Sequence, residues 1–298
     1  MKFKYVRCNI CGSAKAMPMG RRKGPDGNIN LETDIVRCQS CGLIYPNPMP
    51  HFEENEIQGN FGKPEEYFPR EADRRLEAFA NILRGIEGIK RGKGRVLDVG
   101  CGRGEFLHVA GKMGWNAVGT EISKAFADYA KNKFGLNVLT GDLRDIDLRP
   151  ESFDVICLIS VIQYLQDPME TLKKISSLLK KDGIIFIEAT NDDALVFKAG
   201  NLFEGIKGVF RGQRVTTQLS PLFPSYQVYG FNKKSLSLAL EKAGLKIYRF
   251  KVAGMTGGGR MAKKGFTRGA LDLIRKIVLF FGGLTGNGHV MVCMAKKG

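Results

Sequence analysis

Residues 96–107 read VLDVGCGRGEFL. A hydrophobic, β-branched run carrying one acid, Asp98, leads into glycines at 100, 102 and 104 and then into a helical pattern. The stretch predicts a buried strand, a tight turn and a helix N-terminus. Glycine in such a turn permits positive φ and lets another group come close to the backbone. The spacing is Gly-x-Gly-x-Gly, which differs from the Gly-x-Gly-x-x-Gly of dinucleotide sites. By itself the motif could be only a turn.

The residues downstream give it meaning. Residues 116–121 (NAVGTE) read as a second strand that ends in Glu121, 21 residues after Gly100. An acid at the end of the second strand of a βαβ unit is placed to accept hydrogen bonds from ribose hydroxyls. A short apolar run at 138–139 precedes Gly141-Asp142-Leu143, and residues 153–160 (FDVICLIS) form a strand pattern without alternation. Such a run is what a strand buried on both faces requires. Taken in order, VLDVGCGRG, GTE, GDL and FDVICLIS resemble the class I S-adenosylmethionine (SAM) dependent methyltransferases.

That resemblance implies an α/β, Rossmann-like sheet of seven strands, the last antiparallel, with SAM as cofactor. It further implies that Gly100, Gly102 and Gly104 let the backbone approach the methionine part. Asp98 would orient the turn or the cofactor amine, and Glu121 would hold the ribose. Asp142 and the backbone of Leu143 would meet the adenine, and Ser160 would border the cofactor.

A chain of 298 residues has length for one large domain or two smaller ones. With 43% hydrophobic and 26% charged residues it reads as a globular protein. No apolar stretch reaches the ~18 residues of a membrane span, and the first residues lack the apolar core of a signal peptide. The expectation is a cytoplasmic protein. The net charge of +16 is uneven: residues 196–298 hold 18 Lys/Arg against 3 Asp/Glu. A basic region on an otherwise neutral chain points to an anionic partner, whether a phosphorylated small molecule, nucleic acid or a membrane surface; general solubility is the alternative.

Four of the seven cysteines form two C-x-x-C pairs, Cys8/Cys11 and Cys38/Cys41, each followed by glycine. Two such knuckles can set four thiolates around a structural zinc. The 26 intervening residues exceed the usual ~15–20, and a polar loop at 17–30 (MPMGRRKGPDGNIN) absorbs the excess. Cys101, Cys157 and Cys293 read as buried small apolar residues. After the ribbon, 42–50 (GLIYPNPMP) is a proline-rich connector, and 61–69 (FGKPEEYFP) bears aromatics. This layout is similar to zinc-ribbon methyltransferases, which often act in sugar and surface-polysaccharide pathways. The division is therefore 1–50 zinc ribbon and 51–298 methyltransferase domain. The resemblance implies that Tyr67 lies over the methionine end of the cofactor; the alternative is a core aromatic that anchors the connector.

Apolar residues at 76, 79, 82, 83 and 86 predict a helix ahead of the first strand. Ser123 is the expected N-cap of the helix after Glu121, and Pro168 opens another. Strands are expected at 184–188, 245–252 and 289–295, with a helix over 233–243 closed by Gly244.

The acceptor side departs from the family. Residues 161–168 read VIQYLQDP, with Gln163 and Tyr164 where relatives often have Glu-His, and 224–231 read PSYQVYGF, with Gln227 where a histidine is frequent. Two imidazoles are missing. Tyr164 and Glu188 are the catalytic candidates, while Asp192 and Asp193 read as ordinary loop acids. Residues 196–229 form an acceptor-side insertion, basic and aromatic, that suits a phosphorylated sugar and would also suit nucleic acid. Residues 267–281 read as a helix packed on the sheet or, alternatively, as a peripheral contact with an anionic membrane. Methyl transfer to a sugar or glycan-precursor hydroxyl or carbon is the leading function. An RNA methyltransferase and a non-catalytic scaffold are the other two.

Overall fold

The computed structural model describes residues 2–21, 33–51, 63–66, 72–195, 197–198, 227–253 and 287–298. Tyr67, most of the insertion and the 267–281 segment lie outside the described residues.

The first fifty residues build small sheets. Strand β1 (Lys2–Lys4) pairs antiparallel with β5 (Met49–His51), and β2 (Ala16–Arg21), β3 (Asp34–Cys38) and β4 (Ile44–Pro46) form an antiparallel three-stranded sheet. The start of the segment expected as loop, at 17–21, is thus strand: it pairs with β3, so the backbone donors and acceptors there are satisfied by a ladder rather than by water. Helix α1 (Ala72–Lys90) follows, then β6 (Arg95–Val99), α2 (Glu105–Lys112), β7 (Asn116–Glu121), α3 (Lys124–Phe134), β8 (Val138–Thr140) and β9 (Phe153–Ile159). The chain continues through a 3-10 turn (Ile162–Tyr164), α4 (Pro168–Leu178), β10 (Leu179–Thr190), α5 (Lys233–Lys242), β11 (Leu245–Ala253) and β12 (Val290–Lys297).

Seven of these strands form one sheet in the order β11-β12-β10-β9-β6-β7-β8. Strand β12 runs antiparallel to both neighbours, and the remaining described pairings are parallel. The non-alternating β9 lies in the middle and is buried along almost its whole length. One face of the sheet is covered by α1 and α2, where Leu83, Ile86, Phe106 and Val109 meet Val96, Val155 and Phe186. The other face takes α4 and α5 through Leu172, Ile175, Leu236 and Leu240. The knuckle residues Cys8, Ile10, Cys38, Leu43 and Tyr45 belong to that second core.

The ribbon is docked by polar contacts as well. Ile44 and Gly230 exchange backbone hydrogen bonds of 2.9 and 2.8 Å. Asn9 Nδ2 donates to Asp167, the N-cap of α4, at 3.3 Å, and Asn232 Nδ2 donates to the Gly42 carbonyl at 3.0 Å. Asn232 is the N-cap of α5, so each knuckle rests on a helix N-cap.

Candidate active site

The carboxyl ends of β6, β7, β9 and β10 lie along one rim of the sheet, the place where open α/β sheets take ligands. Residues 100–104 leave β6 as a turn in which Gly100, Gly102 and Gly104 all have positive φ. Their roles differ. A Cβ on Gly100 would come within 2.8 Å of Val161, and one on Gly104 within 2.9 Å of Ala130, so these two glycines serve packing. A Cβ on Gly102 would meet nothing within 4 Å: only there does the turn face open space.

Glu121 closes the turn. Its Oε2 accepts the Gly102 amide and its Oε1 the Ser123 amide, both at 2.8 Å. Burial raises its pKa, against the pull of these N–H groups. Ser123 stands at the N-cap of α3 but makes no side-chain cap; its backbone N–H is committed to Glu121 instead. Asp98 is 4% exposed, and burial together with Glu121 and Glu105 pushes its pKa well up. Glu105 was not singled out in the sequence. It is buried in the first turn of α2 and paired with Arg103 Nε at 3.0 Å. The signal for it was an acid at a helix start directly after a glycine turn.

Asp142 accepts from Arg144 at both oxygens, through Nε at 3.0 Å and Nη2 at 2.8 Å, and also takes the Arg144 backbone N–H at 2.9 Å. Burial alone would raise its pKa, but Arg144 holds it below the usual range. Leu143 is buried in the core beside it.

Ser160 and Glu188 come together at the ends of β9 and β10. Ser160 N–H donates to the Glu188 carbonyl at 2.8 Å, and the Glu188 carboxylate accepts from the Ser160 hydroxyl. Ser160 has φ of 58°, a left-handed conformation unusual for serine and of the kind that gathers at functional sites. Burial raises the Glu188 pKa. Tyr164 ends the 3-10 turn after β9 and is half-buried.

Gln163, which stands where relatives often have the Glu of a Glu-His pair, and Gln227, which stands where a histidine is frequent, lie close to one another around residues 228–229. The Gln163 carbonyl accepts the amides of Val228 and Tyr229 at 2.9 and 3.0 Å. Gln227 is fully buried and donates through Nε2 to Asp192 Oδ2 at 3.1 Å and to the Tyr229 carbonyl at 2.9 Å. Asp192 is 6% exposed, and Asp193 bridges Arg37 of the ribbon at 2.8 Å. Neither is an ordinary loop acid. One is part of a buried amide network and the other ties the ribbon to the sheet.

At the ribbon, the Sγ atoms of Cys8, Cys11, Cys38 and Cys41 all lie within 4.8 Å of one another. A tetrahedral ion with Zn–S of about 2.3 Å needs sulfurs about 3.8 Å apart. Gly12 and Gly42, at φ of 76° and 78°, turn the two knuckles, and their amides donate to the Cys8 and Cys38 carbonyls. Burial would raise the Cys38 thiol, but the backbone amide of Cys41 and hydrogen bonds from neighbouring groups bring it down to about 7.

A family model described as a methyltransferase domain matches residues 66–249, more than half of the sequence. The chain belongs to this methyltransferase family. Among curated relatives, the methyltransferase-family chain is 30% identical over 127 residues to the ubiquinone biosynthesis O-methyltransferase of Actinobacillus pleuropneumoniae, covering 39% of this chain and 52% of that one. It thus spans about half the length of the curated relatives it matches. Its fold is that of a SAM-dependent methyltransferase from Archaeoglobus fulgidus, with a TM-score of 0.51 and 20% identity over 78% of this chain and 100% of that one. The geranyl diphosphate C-methyltransferase of Streptomyces coelicolor has the same fold, with a TM-score of 0.51 and 13% identity over 84% and 86%. Among the described residues no helix is long and apolar enough to cross a membrane.

Proposed function

We propose that the chain transfers a methyl group from SAM to a hydroxyl or carbon of a small-molecule acceptor, a sugar or glycan precursor. The observation that carries the cofactor assignment is the coupling of Glu121 to the one glycine of the turn that faces open space. Glu121 takes the Gly102 and Ser123 amides on its two oxygens, and the lone-pair capacity left on the carboxylate can take a ribose hydroxyl. Asp98, Glu105 and Glu121 gather three carboxyl groups beside the turn, acceptors for a ligand that carries an ammonium and a sulfonium. Arg144 pins Asp142, so an adenine amino group would share that carboxylate with a guanidinium. The donor, when bound, supplies an electrophilic methyl group.

The protein's share is alignment and handling of the acceptor proton. Holding two reactants in line supplies most of what such a transfer needs. Glu188 is the proton acceptor in this reading. Burial moves its pKa toward neutrality, where a carboxylate is a better base, and the Ser160 hydroxyl orients it. Tyr164 borders the acceptor. The four ribbon thiolates hold a structural zinc, as their spacing and the two knuckle turns support. A reducing, cytoplasmic setting suits this reading, because the four knuckle thiols must stay reduced to hold the ion.

The test is calorimetric titration with SAM, followed by detection of S-adenosylhomocysteine when labelled SAM is incubated with sugar acceptors. Micromolar binding that Glu121→Ala weakens supports the reading. A wild-type protein that does not bind SAM overturns it.

A further inference from the structure

The outer side of the ribbon carries a surface that neither the four thiols nor the glycine turn uses. Residues 2–7 read KFKYVR, and residues 2–21 hold five Lys/Arg and no acid. Phe3 is 47% exposed and Tyr5 78%, so two neighbouring rings face water rather than a core. Lys4, Arg7 and Lys15 are exposed as well. Elsewhere exposed cations are matched: Arg84 pairs with Glu77, Lys124 with Asp128 and Lys173 with Glu170. Lys4, Arg7 and Lys15 have no acidic partner among the described residues, and the Tyr5 hydroxyl has no hydrogen-bond partner there. Strand β1 has β5 on one edge, with Phe3 opposite Pro50, and among the described residues no strand on the other. The Cys8 amide donates to the Ser13 carbonyl at 3.0 Å, so the chain beyond the first knuckle doubles back and brings Lys15 toward Arg7. These cations do not serve to neutralise the thiols, because Cys8, Cys38 and Cys41 are buried while the cations point to water.

We infer that this face of the ribbon binds single-stranded RNA, as a ligand separate from the methyl acceptor. Unpaired cations interleaved with exposed rings are what a single-strand site needs: the cations follow the phosphates and the bases stack on the rings. Two residues of extended chain span about 6.6 Å, close to twice the rise of about 3.4 Å between stacked bases. Rings at Phe3 and Tyr5 therefore suit bases drawn apart in a single strand, and a duplex offers them none. A lipid surface calls for a contiguous apolar patch; here Lys4 separates the rings and Tyr5 presents a hydroxyl to water. That hydroxyl can donate to or accept from a 2′-hydroxyl, which favours RNA over DNA. The inference does not depend on the proposed methyl transfer.

The test uses the full, zinc-loaded chain and the fluorescence anisotropy of a labelled 20-nucleotide oligouridylate. Oligothymidylate of the same length, an RNA duplex and vesicles rich in phosphatidylglycerol are run beside it. The oligouridylate should bind at micromolar concentration in 50 mM salt and more tightly than the DNA or the duplex. Affinity should fall about tenfold or more between 50 and 200 mM salt, as expected for about three neutralised phosphates. Tyr5→Ala should weaken binding about fivefold or more, the equivalent of one lost stacked base, and leave the salt slope unchanged. Tyr5→Phe should keep most of the affinity and lose the preference for RNA over DNA. Lys4→Ala/Arg7→Ala should lower the salt slope by about 1.4, two phosphates' worth. Circular dichroism and zinc content check that each variant folds, and each should bind SAM as the wild type does. The inference is overturned if the oligouridylate does not bind, or if the DNA or the duplex binds as tightly. It is equally overturned if Tyr5→Ala and Lys4→Ala/Arg7→Ala both bind the RNA as the wild type does, or if the vesicles displace the RNA from the protein.

Discussion

Asn232 Nδ2 donates to the Gly42 carbonyl at 3.0 Å while Asn232 Oδ1 accepts the Ser235 amide at 2.8 Å. One side chain therefore caps α5 and fastens the second knuckle to it. The Ser235 hydroxyl completes a capping box by accepting the Asn232 amide at 3.0 Å. The approach is close: a Cβ on Gly42 would stand 2.5 Å from Asn232 Nδ2.

Asn232→Ala should cost about 2 kcal/mol or more, since it removes a cap and leaves the Gly42 carbonyl without this donor. Asn232→Ser should recover part of the loss by restoring the cap alone. Chemical denaturation of both variants checks the order. An Asn232→Ser variant as stable as the wild type would show that the bond to Gly42 contributes nothing.

Cys38→Ser should release the metal that elemental analysis is expected to find at one zinc per chain. The knuckles share a core with α4 and α5, so the loss should spread beyond residues 1–50. Hydrogen exchange should speed up at the N-terminus of α5 as well as in the ribbon. The SAM turn packs between β6 and α3, away from the ribbon, and SAM affinity should hold. Protection confined to its wild-type level in α5 would mean that the ribbon folds independently.

Glu121→Ala removes an acceptor of two backbone amides as well as the ribose partner. Affinity for SAM should fall by about 1.5–3 kcal/mol, as for hydrogen bonds to a charged group. Because the Gly102 amide also loses its partner, melting temperature should fall too. Unchanged calorimetric affinity would remove Glu121 from the cofactor site.

Asp154 gives the pH dependence. Burial by itself would raise its pKa, but Lys180 Nζ at 2.8 Å, the Arg95 amide at 2.8 Å and Lys90 Nζ at 3.0 Å lower it from the ordinary 3.8 to about 2. A depressed carboxylate contributes stability above its unfolded pKa and loses it as pH falls through the folded one. The contribution, about 2 kcal/mol, should be full above pH 5 and disappear between about pH 4 and pH 2. Asp154→Asn should lose it at neutral pH and flatten that acid limb in urea titrations. An unchanged limb would assign acid unfolding to other carboxylates.

Much of the fold was legible in the chain because local patterns and their order both point the same way. The non-alternating run at 153–159 could only be a strand covered on two faces, and the glycine turn with Glu121 21 residues on marked a βαβ unit. The cysteine pairs carried their own geometry, since a C-x-x-C followed by glycine sets two thiols on one turn. What tertiary structure decided is which partner each polar group finds. Sequence could not tell that Gly100 and Gly104 are small to admit Val161 and Ala130 while Gly102 alone faces open space. Nor could it tell that Asp192 is buried against Gln227 and Asp193 bridges to Arg37, 156 residues away in sequence. The physical reason is that strand and turn propensities act over a few neighbouring residues. A buried carboxylate or amide is instead fixed by the long-range packing that surrounds it, and it must take whatever donor that packing brings within reach.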